Sequence, residues 1–549
     1  MRTRSIARGA TMLRIEHLAF TYLGAKAPAL NGLDATFQRG AKVLVIGANG
    51  AGKSTLLAAV AGFVPHFFRG EMHGDILFEG RSLRETPLAE WVMRVGIVFA
   101  NPFNQLSGVR LTVFEEVAFG LENLGVPPDE IRRRVAATLE RLGLSDLAER
   151  SPFALSGGQQ QRVAIATILA MNPRALALDE PTAQLDPQGA RDVFALLAAL
   201  AEEERYVLAA TQRLEYATPV LHEMLALREG RLAAHAPLAS GMHAAPDDGW
   251  GVLLPLRVRA ERPGWRPWPH DAPTLADEAV AAAPPMGIEA HAVHYTYPTG
   301  VEALRGVSVH AQPGEVVALM GQNGAGKTTL SKMFIGLLRP DNGTVRVGEW
   351  DATARAAHEL AHRVGYVFQN PHDQIFHRRI WDEVAYGPRN LGFSPERLRS
   401  AVERALALCG LSDYAEMHPY DMPLNRRRWV TIAAALAMET PVLIFDEPSG
   451  GFDREDLLRL YALLQALRRA GRTVLLISHD VGFVAEIADR VVVMAQGRVL
   501  ADGAPHEVLT DETVLTAAAL DWPPATALAR EMGFTTPVVR EAELHTLMQ

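Results

Sequence analysis

Gly47-Ala48-Asn49-Gly50-Ala51-Gly52-Lys53-Ser54-Thr55 returns later in the same 549-residue chain as Gly321-Gln322-Asn323-Gly324-Ala325-Gly326-Lys327-Thr328-Thr329. Each copy follows an apolar, strand-like run, Val43 to Ile46 or Val316 to Met320, and precedes a helix-forming one, Leu56 to Val60 or Leu330 to Leu338. A strand, a glycine loop and a helix in that order make a phosphate-binding P-loop. The glycines let successive backbone N–H groups turn inward around a β-phosphate, and the helix start adds partial positive charge. The Lys ammonium then reaches the β and γ oxygens, and the Ser54 or Thr328 hydroxyl is placed to ligate Mg2+. One chance match in a chain of this length has a probability on the order of a few per cent. Two in matching contexts imply two nucleoside triphosphate sites.

Length alone would allow roughly three or four domains; the repeat reduces these to two large ones. The same order of signals returns with an offset of 267 to 275 residues, Tyr22 matching Tyr297, Lys53 matching Lys327 and Asp179 matching Asp446. The expected division is an N-terminal extension over residues 1–12, a first domain over 13–234, a linker over 235–287, a second domain over 288–520 and a tail over 521–549. Met12, just before the first strand-like run, could be the native start. The linker is rich in Pro, Ala and Gly and shows no sustained period. Its Trp265 and Trp268 are expected to pack on a domain surface rather than form a contact site.

Composition bounds the class. Hydrophobic residues make up 48% of the chain and charged ones 21%, which indicates a compact α/β protein rather than a disordered or fibrous one. A net charge of −9 argues against a broad footprint on nucleic acid. The single cysteine, Cys409, excludes an intramolecular disulfide and a Cys-based metal cluster, and its apolar helical run predicts a buried, inert thiol. No apolar run reaches the roughly 18 residues of a membrane span, and no signal-peptide core follows the first Arg residues. A cytoplasmic protein is expected.

Short strand-like segments (Leu13 to Tyr22, Ala41 to Gly47, Asp75 to Glu79, Val95 to Phe99) lead into helices at Thr112 to Gly120 and Pro128 to Leu142. In the second helix Ile131, Val135, Leu139 and Leu142 share a face, and Arg132 to Arg134 start a solvated one. Ala175 to Glu180 then reads as a buried strand ending in two carboxylates. Asp179-Glu180-Pro181 has its counterpart in Asp446-Glu447-Pro448. After a P-loop, the first carboxylate of such a pair organises Mg2+, and the second can accept a proton from an attacking water. The first half also contains Leu155-Ser156-Gly157-Gly158-Gln159, leading into a helix, whose hydroxyl and glycine N–H groups form a second anion site.

With these motifs, both halves resemble the nucleotide-binding domain of ABC transporters, whose signature is Leu-Ser-Gly-Gly-Gln. The resemblance implies two tandem P-loop NTPase domains of ABC type. Each would have a β-rich N-terminal subdomain, a RecA-like core and a helical signature subdomain. It implies a head-to-tail pairing of the halves with ATP and Mg2+ at two composite sites. Tyr22 and Tyr297 match the family's adenine-stacking aromatic, Gln369 the loop glutamine that contacts Mg2+ and water, and His479 the histidine that contacts the γ-phosphate. Glu447 and Glu180 match the catalytic base; Ser54, Asp179, Thr328, Asp446 and Gln369 match the metal set. The patterns Asn101-Pro102-Phe103-Asn104-Gln105 and Asn370-Pro371-His372-Asp373-Gln374 are similar to the energy-coupling-factor subgroup, importers of vitamins, their precursors, cobalt or nickel. So is Leu520-Asp521-Trp522-Pro523-Pro524. The implied protein is a peripheral ATPase at the cytoplasmic face of a membrane. Its partners would be integral membrane subunits, a coupling protein and a substrate-binding protein, received near Phe103 to Leu106 and Asp373 to Phe376.

Three departures stand out. The loop glutamine of the first half is Ala100, its histidine is Gln212, and the second signature reads Met422-Pro423-Leu424-Asn425-Arg426. In a composite pair all three losses fall on the Lys53 site, which leaves the Lys327 site as the catalytic one. Arg426 to Arg428 either supply charge to the weakened site or form a solvated basic surface. Two other classes fit the pattern less well. A soluble twin ABC ATPase acting on ribosomes or nucleic acid would usually keep both signatures, and a fused sugar-import ATPase would carry a damaged second P-loop.

Overall fold

The computed structural model describes residues 13–155, 157–183, 185–202, 204–276 and 280–549. The expected N-terminal extension and Ser156 lie outside the described residues. The chain forms two compact units, Met1–Val258 and Arg259–Gln549.

In unit 1 the P-loop is placed by its sheet. Strand Lys42–Ile46 lies inside a six-stranded sheet between Tyr206–Ala210 and Glu223–Arg228, both parallel to it. Beyond Tyr206–Ala210 come Ala175–Asp179 and then Val95–Val98, also parallel; Arg231–Pro237 closes the other edge antiparallel to Glu223–Arg228. Both faces of such a sheet are covered, so its strands are apolar on both sides. Successive residues point to opposite faces. Val43 and Val45 enter one core cluster with the P-loop helix Lys53–Val60, and Leu44 and Ile46 enter another with the helices Val113–Asn123, Pro128–Arg141 and Gly157–Ala170. The P-loop is therefore anchored through a strand with no free face. A four-stranded antiparallel sheet, ordered Leu30–Phe37, Leu13–Tyr22, Gly70–Phe78, Arg81–Ser82, supplies the remaining layer.

Local chemistry sets the helix starts. Thr112 and Glu115 form a capping box at Val113–Asn123, one residue inside the expected start. On Pro128–Arg141 the expected Ile131, Val135 and Leu139 are buried, while Arg132, Arg133 and Arg134 pair with Asp129 and Glu130 at the surface.

Unit 2 repeats the plan. Its six-stranded sheet runs Val364–Val367, Val442–Asp446, Thr473–Ile477, Val316–Met320, Arg490–Ala495, Arg498–Gly503, and its four-stranded sheet Glu302–Ala311, Ile288–Thr296, Asn342–Val347, Trp350–Asp351. Asp179 pairs with Ala210 and Asp446 with Ile477, so the two carboxylate pairs leave equivalent strands at the same register.

The stretch 235–287, read from sequence as a linker, divides between the units. Its first part completes a strand and forms the helix Leu238–His243 in unit 1. Residues from Arg259 pack on unit 2: Arg454 pairs with Asp271, Arg469 donates to Leu275 O at 2.8 Å and Arg472 Nε to Ala281 O at 3.1 Å. Trp268 is 5% exposed against Tyr461 and Phe483, and Trp265 meets His545 edge-on, as the packing expectation required. Cys409 is buried and free, and burial pushes its thiol well above its ordinary value.

Candidate functional site

Each P-loop turns on a left-handed glycine. Gly52 has φ 102° and Gly326 φ 101°, and a Cβ there would stand 2.6 Å from Ala29 O or Ala303 O. No N-cap side chain caps the helices that follow, Lys53–Val60 and Lys327–Phe334, and a helix start of this kind suits a phosphate. The ammonium of Lys53 donates to Gly47 O at 2.8 Å and Ala48 O at 3.0 Å; that of Lys327 donates to Gly321 O at 2.7 Å and Gln322 O at 3.0 Å. Both chains thus fold over the loop that a nucleotide would enter. The hydroxyl of Tyr22 lies 3.0 Å from Thr55 Oγ1, and that of Tyr297 lies 2.9 Å from Thr329 Oγ1, which brings each expected base-stacking ring to its own P-loop helix.

The carboxylates follow. Glu180 and Glu447 sit at φ 45° and 50°, a region that non-glycine residues rarely adopt at a cost of about 1–3 kcal/mol. Their N–H groups donate to Ala210 O at 2.8 Å and Ile477 O at 3.0 Å, which holds the turn that aims each carboxylate at its P-loop. Beside them, Asp446 Oδ2 accepts from Thr328 Oγ1 at 2.8 Å and from the Tyr366 hydroxyl at 3.1 Å, while its Oδ1 is buried without a partner. Asp179 accepts a hydrogen bond from the Ser54 hydroxyl, and burial raises its pKa. A hydroxyl and a carboxylate with one unsatisfied buried oxygen suit Mg2+, which is held by few protein groups and completes its shell with phosphate oxygens and water. No group of three or more His, Cys, Asp or Glu among the described residues could hold a metal by protein ligands alone.

The two units differ where the sequence departs from the family pattern. In unit 2, His479 Nδ1 lies 2.8 Å from Glu447 Oε2. Burial pushes the Glu447 carboxyl up, but His479 and Lys327 outweigh it and hold it below its ordinary value. In unit 1, Gln212 turns its side chain to Gly47 O at 3.4 Å and offers Glu180 only its backbone N–H, at 3.2 Å. Burial then pushes Glu180 up to about 7, with the Lys53 charge opposing it. The histidine thus leaves Glu447 easier to ionise than Glu180. Gln369 lies exposed in the loop after Val364–Val367, and Ala100 holds that place in unit 1.

Gly157, Gly158 and Gln159 open the helix Gly157–Ala170; the corresponding helix, Leu424–Ala437, starts after Pro423. There Asn425 is buried on Asp456 at 2.8 Å. The arginines that follow are half-buried and donate to carbonyls of their own unit. Arg426 donates to Gly410 O, Arg427 to Met422 O and Tyr420 O, and Arg428 to Gln369 O and Glu447 O. The Asn-Pro-x-x-Gln pattern also gains a physical role. Asn101 and Asn370 cap short 3-10 turns, while Gln105 and Gln374 accept from Phe99 N and Phe368 N and donate to carbonyls of the signature helices. Sequence reading missed Tyr366 and the carbonyl partners of Arg428, because each acts through a tertiary neighbour.

These features define the class: two P-loop nucleoside triphosphatase cassettes in one chain. A family model described as ABC transporter matches residues 30–183 and again 304–450. A provisionally named ABC transporter ATP-binding protein of Methanosarcina acetivorans is 35% identical over 96% of this chain and 91% of its own length. One from Streptomyces avermitilis, similarly named, is 37% identical over 91% of this chain and 95% of its own. Among solved structures, cbiO1 of Clostridium perfringens, described as part of the ABC transporter complex cbiONQ, is 29% identical over 45% of this chain and 98% of that one, with a TM-score of 0.38. The chain belongs to the ABC transporter ATP-binding family and is an ATPase with two cassettes. No described helix is long and apolar enough to cross a membrane.

Proposed function

We propose that the protein is the MgATP-hydrolysing subunit of an energy-coupling-factor importer, powering uptake of a vitamin, vitamin precursor or transition metal ion through separate membrane subunits. The observation that carries the transport reading is an exposed aromatic cluster directly after the loop that bears Gln369 or Ala100, in which the pair Phe103–Phe153 of unit 1 has its counterpart in His372–Tyr420 of unit 2. In unit 2, Phe376 is 62% exposed and meets Tyr386 edge-on at 4.9 Å, with Met417 and Tyr420 also exposed. In unit 1, Phe103 and Phe153, 50% and 46% exposed, stack at 6.4 Å. Single exposed apolar residues are ordinary; repeated clusters of large ones mark contact surfaces. The subgroup motifs Asn-Pro-x-x-Gln and Leu520 to Pro524 support the same reading.

Within this reading the Lys327 site hydrolyses ATP. Lys327 binds the β and γ oxygens, Thr328 and Asp446 hold Mg2+, Gln369 orients water and Glu447 takes its proton. Bound Mg2+ neutralises charge on the phosphates. His479 keeps Glu447 ionised and so ready to act as a base. The Lys53 site, with Ala100 and Gln212 in place of two of these contacts, retains ATP and turns over slowly. The experiment is Phe376→Asp in the full chain. ATP binding should be unchanged, and co-purification with membrane subunits and substrate uptake should fall together. Normal assembly and uptake would reject this surface as the docking site, and a parent chain that co-purifies with no membrane subunit would reject the transport assignment.

A further inference from the structure

The helix Leu424–Ala437 replaces a signature helix, yet one of its residues faces the catalytic elements of its own unit. Arg428 stands where unit 1 has Gln161. Gln161 donates its amide to Phe99 O at 3.4 Å, and its Oε1 is buried without a partner. Arg428 Nη1 instead donates to two carbonyls, Gln369 O at 3.1 Å and Glu447 O at 2.9 Å. Those carbonyls belong to the loop glutamine and the glutamate that the proposed function places on water.

The neighbouring sequence has changed in step. Glu180-Pro181-Thr182-Ala183 in unit 1 corresponds to Glu447-Pro448-Ser449-Gly450 in unit 2. A Cβ at Gly450 would stand 3.0 Å from Arg428 Nη2 and 3.3 Å from its Cζ. Gly450 does not adopt positive φ, so space for the guanidinium, rather than backbone conformation, accounts for glycine there. The two units carry two matched pairs: Gln161 with Ala183, and Arg428 with Gly450.

We propose that Arg428 is a positioning residue, a guanidinium clamp that fixes the Gln369 loop against the backbone of Glu447, with Gly450 as its seat. The inference rests on the reading that the Lys327 site is the hydrolytic one. A planar guanidinium can bridge two acceptors at fixed angles, which a Gln amide of shorter reach does not do here. The carbonyl that Arg428 holds belongs to the same residue as the strained φ and the carboxylate, so its restraint limits how Glu447 can turn.

The test is steady-state hydrolysis and equilibrium ATP binding by the full chain. Arg428→Gln should lower kcat by about 10- to 100-fold, the scale of a small misplacement of reacting groups, with ATP affinity held within about twofold. Gly450→Ala alone should also lower kcat, because its Cβ displaces the guanidinium. In an Arg428→Gln background, which restores the pair found in unit 1, Gly450→Ala should add no further loss. A kcat unchanged in Arg428→Gln, or losses that multiply in the double variant, would overturn the clamp while Glu447→Gln still abolishes hydrolysis. Hydrolysis retained in Glu447→Gln would overturn the site assignment, and the clamp with it.

Discussion

Glu447 and Glu180 occupy the same backbone position with the same strained φ, and the difference in their chemistry comes from one neighbour. His479 lies against Glu447, whereas Gln212 turns toward Gly47. His479→Gln should therefore give the Lys327 site the environment of the Lys53 site. The loss of one such electrostatic contact costs about 10²- to 10³-fold in rate. Steady-state hydrolysis measures it, and a rate within about threefold of the parent would show that the pairing with Glu447 is dispensable. At this scale the P-loops and carboxylate pairs were legible because phosphate binding demands contiguous residues in a fixed order. The Glu447 partner of Arg428 and the Asp446 partner of Tyr366 were not, since they lie 19 and 80 positions away. The sequence leaves two readings of the trio Arg426 to Arg428 open, and the fold adds the carbonyls that each guanidinium touches.

Among the elements, the strands and amphipathic helices followed their periodicity, and the stretch without periodicity contains the boundary between the two units. Residues 261–276 and 280–286 have irregular backbone, and Arg469 and Arg472 take the carbonyls of Leu275 and Ala281, an order that leaves no repeating pattern in sequence. The tail carries two helices, Pro524–Glu531 and Glu541–Met548. Glu541 N donates to Glu486 Oε1 at 2.7 Å, at the end of the helix Val481–Ile487, and its carboxylate takes both Arg259, at 2.7 Å through Nη1, and the Trp268 N–H at 2.7 Å. Burial pushes the Glu486 carboxyl up to about 8; the nearby Glu541 and Glu543 charges add to the rise, and Arg540 and the Glu541 N–H oppose it. Because the folded state holds this proton more tightly than an unfolded chain whose carboxyl has its ordinary value of 4.5, the stabilisation is complete below pH 4.5 and is lost as pH rises through 8. Glu486→Gln should melt with the parent at pH 5 and roughly 2–6 °C above it at pH 8.5. Thermal scans at the two pH values decide this, and an equal difference at both would contradict it.

For the whole molecule, the tandem duplication was legible because every motif recurs in order, and the family comparison matches both halves. What the duplication hides is divergence. Ala100, Gln212 and Gln161 in unit 1 stand against Gln369, His479 and Arg428 in unit 2, and on the proposed reading these differences place the hydrolytic glutamate in unit 2. The central claim is that only the Lys327 site turns over at speed, and it is tested most directly by comparing Glu447→Gln with Glu180→Gln in the full chain. Steady-state ATP hydrolysis, measured after each variant is shown to fold and bind ATP, should fall by about 10²-fold or more in Glu447→Gln. It should remain near the parent rate in Glu180→Gln, whereas equal loss in the two variants would contradict the account and assign hydrolysis to both cassettes.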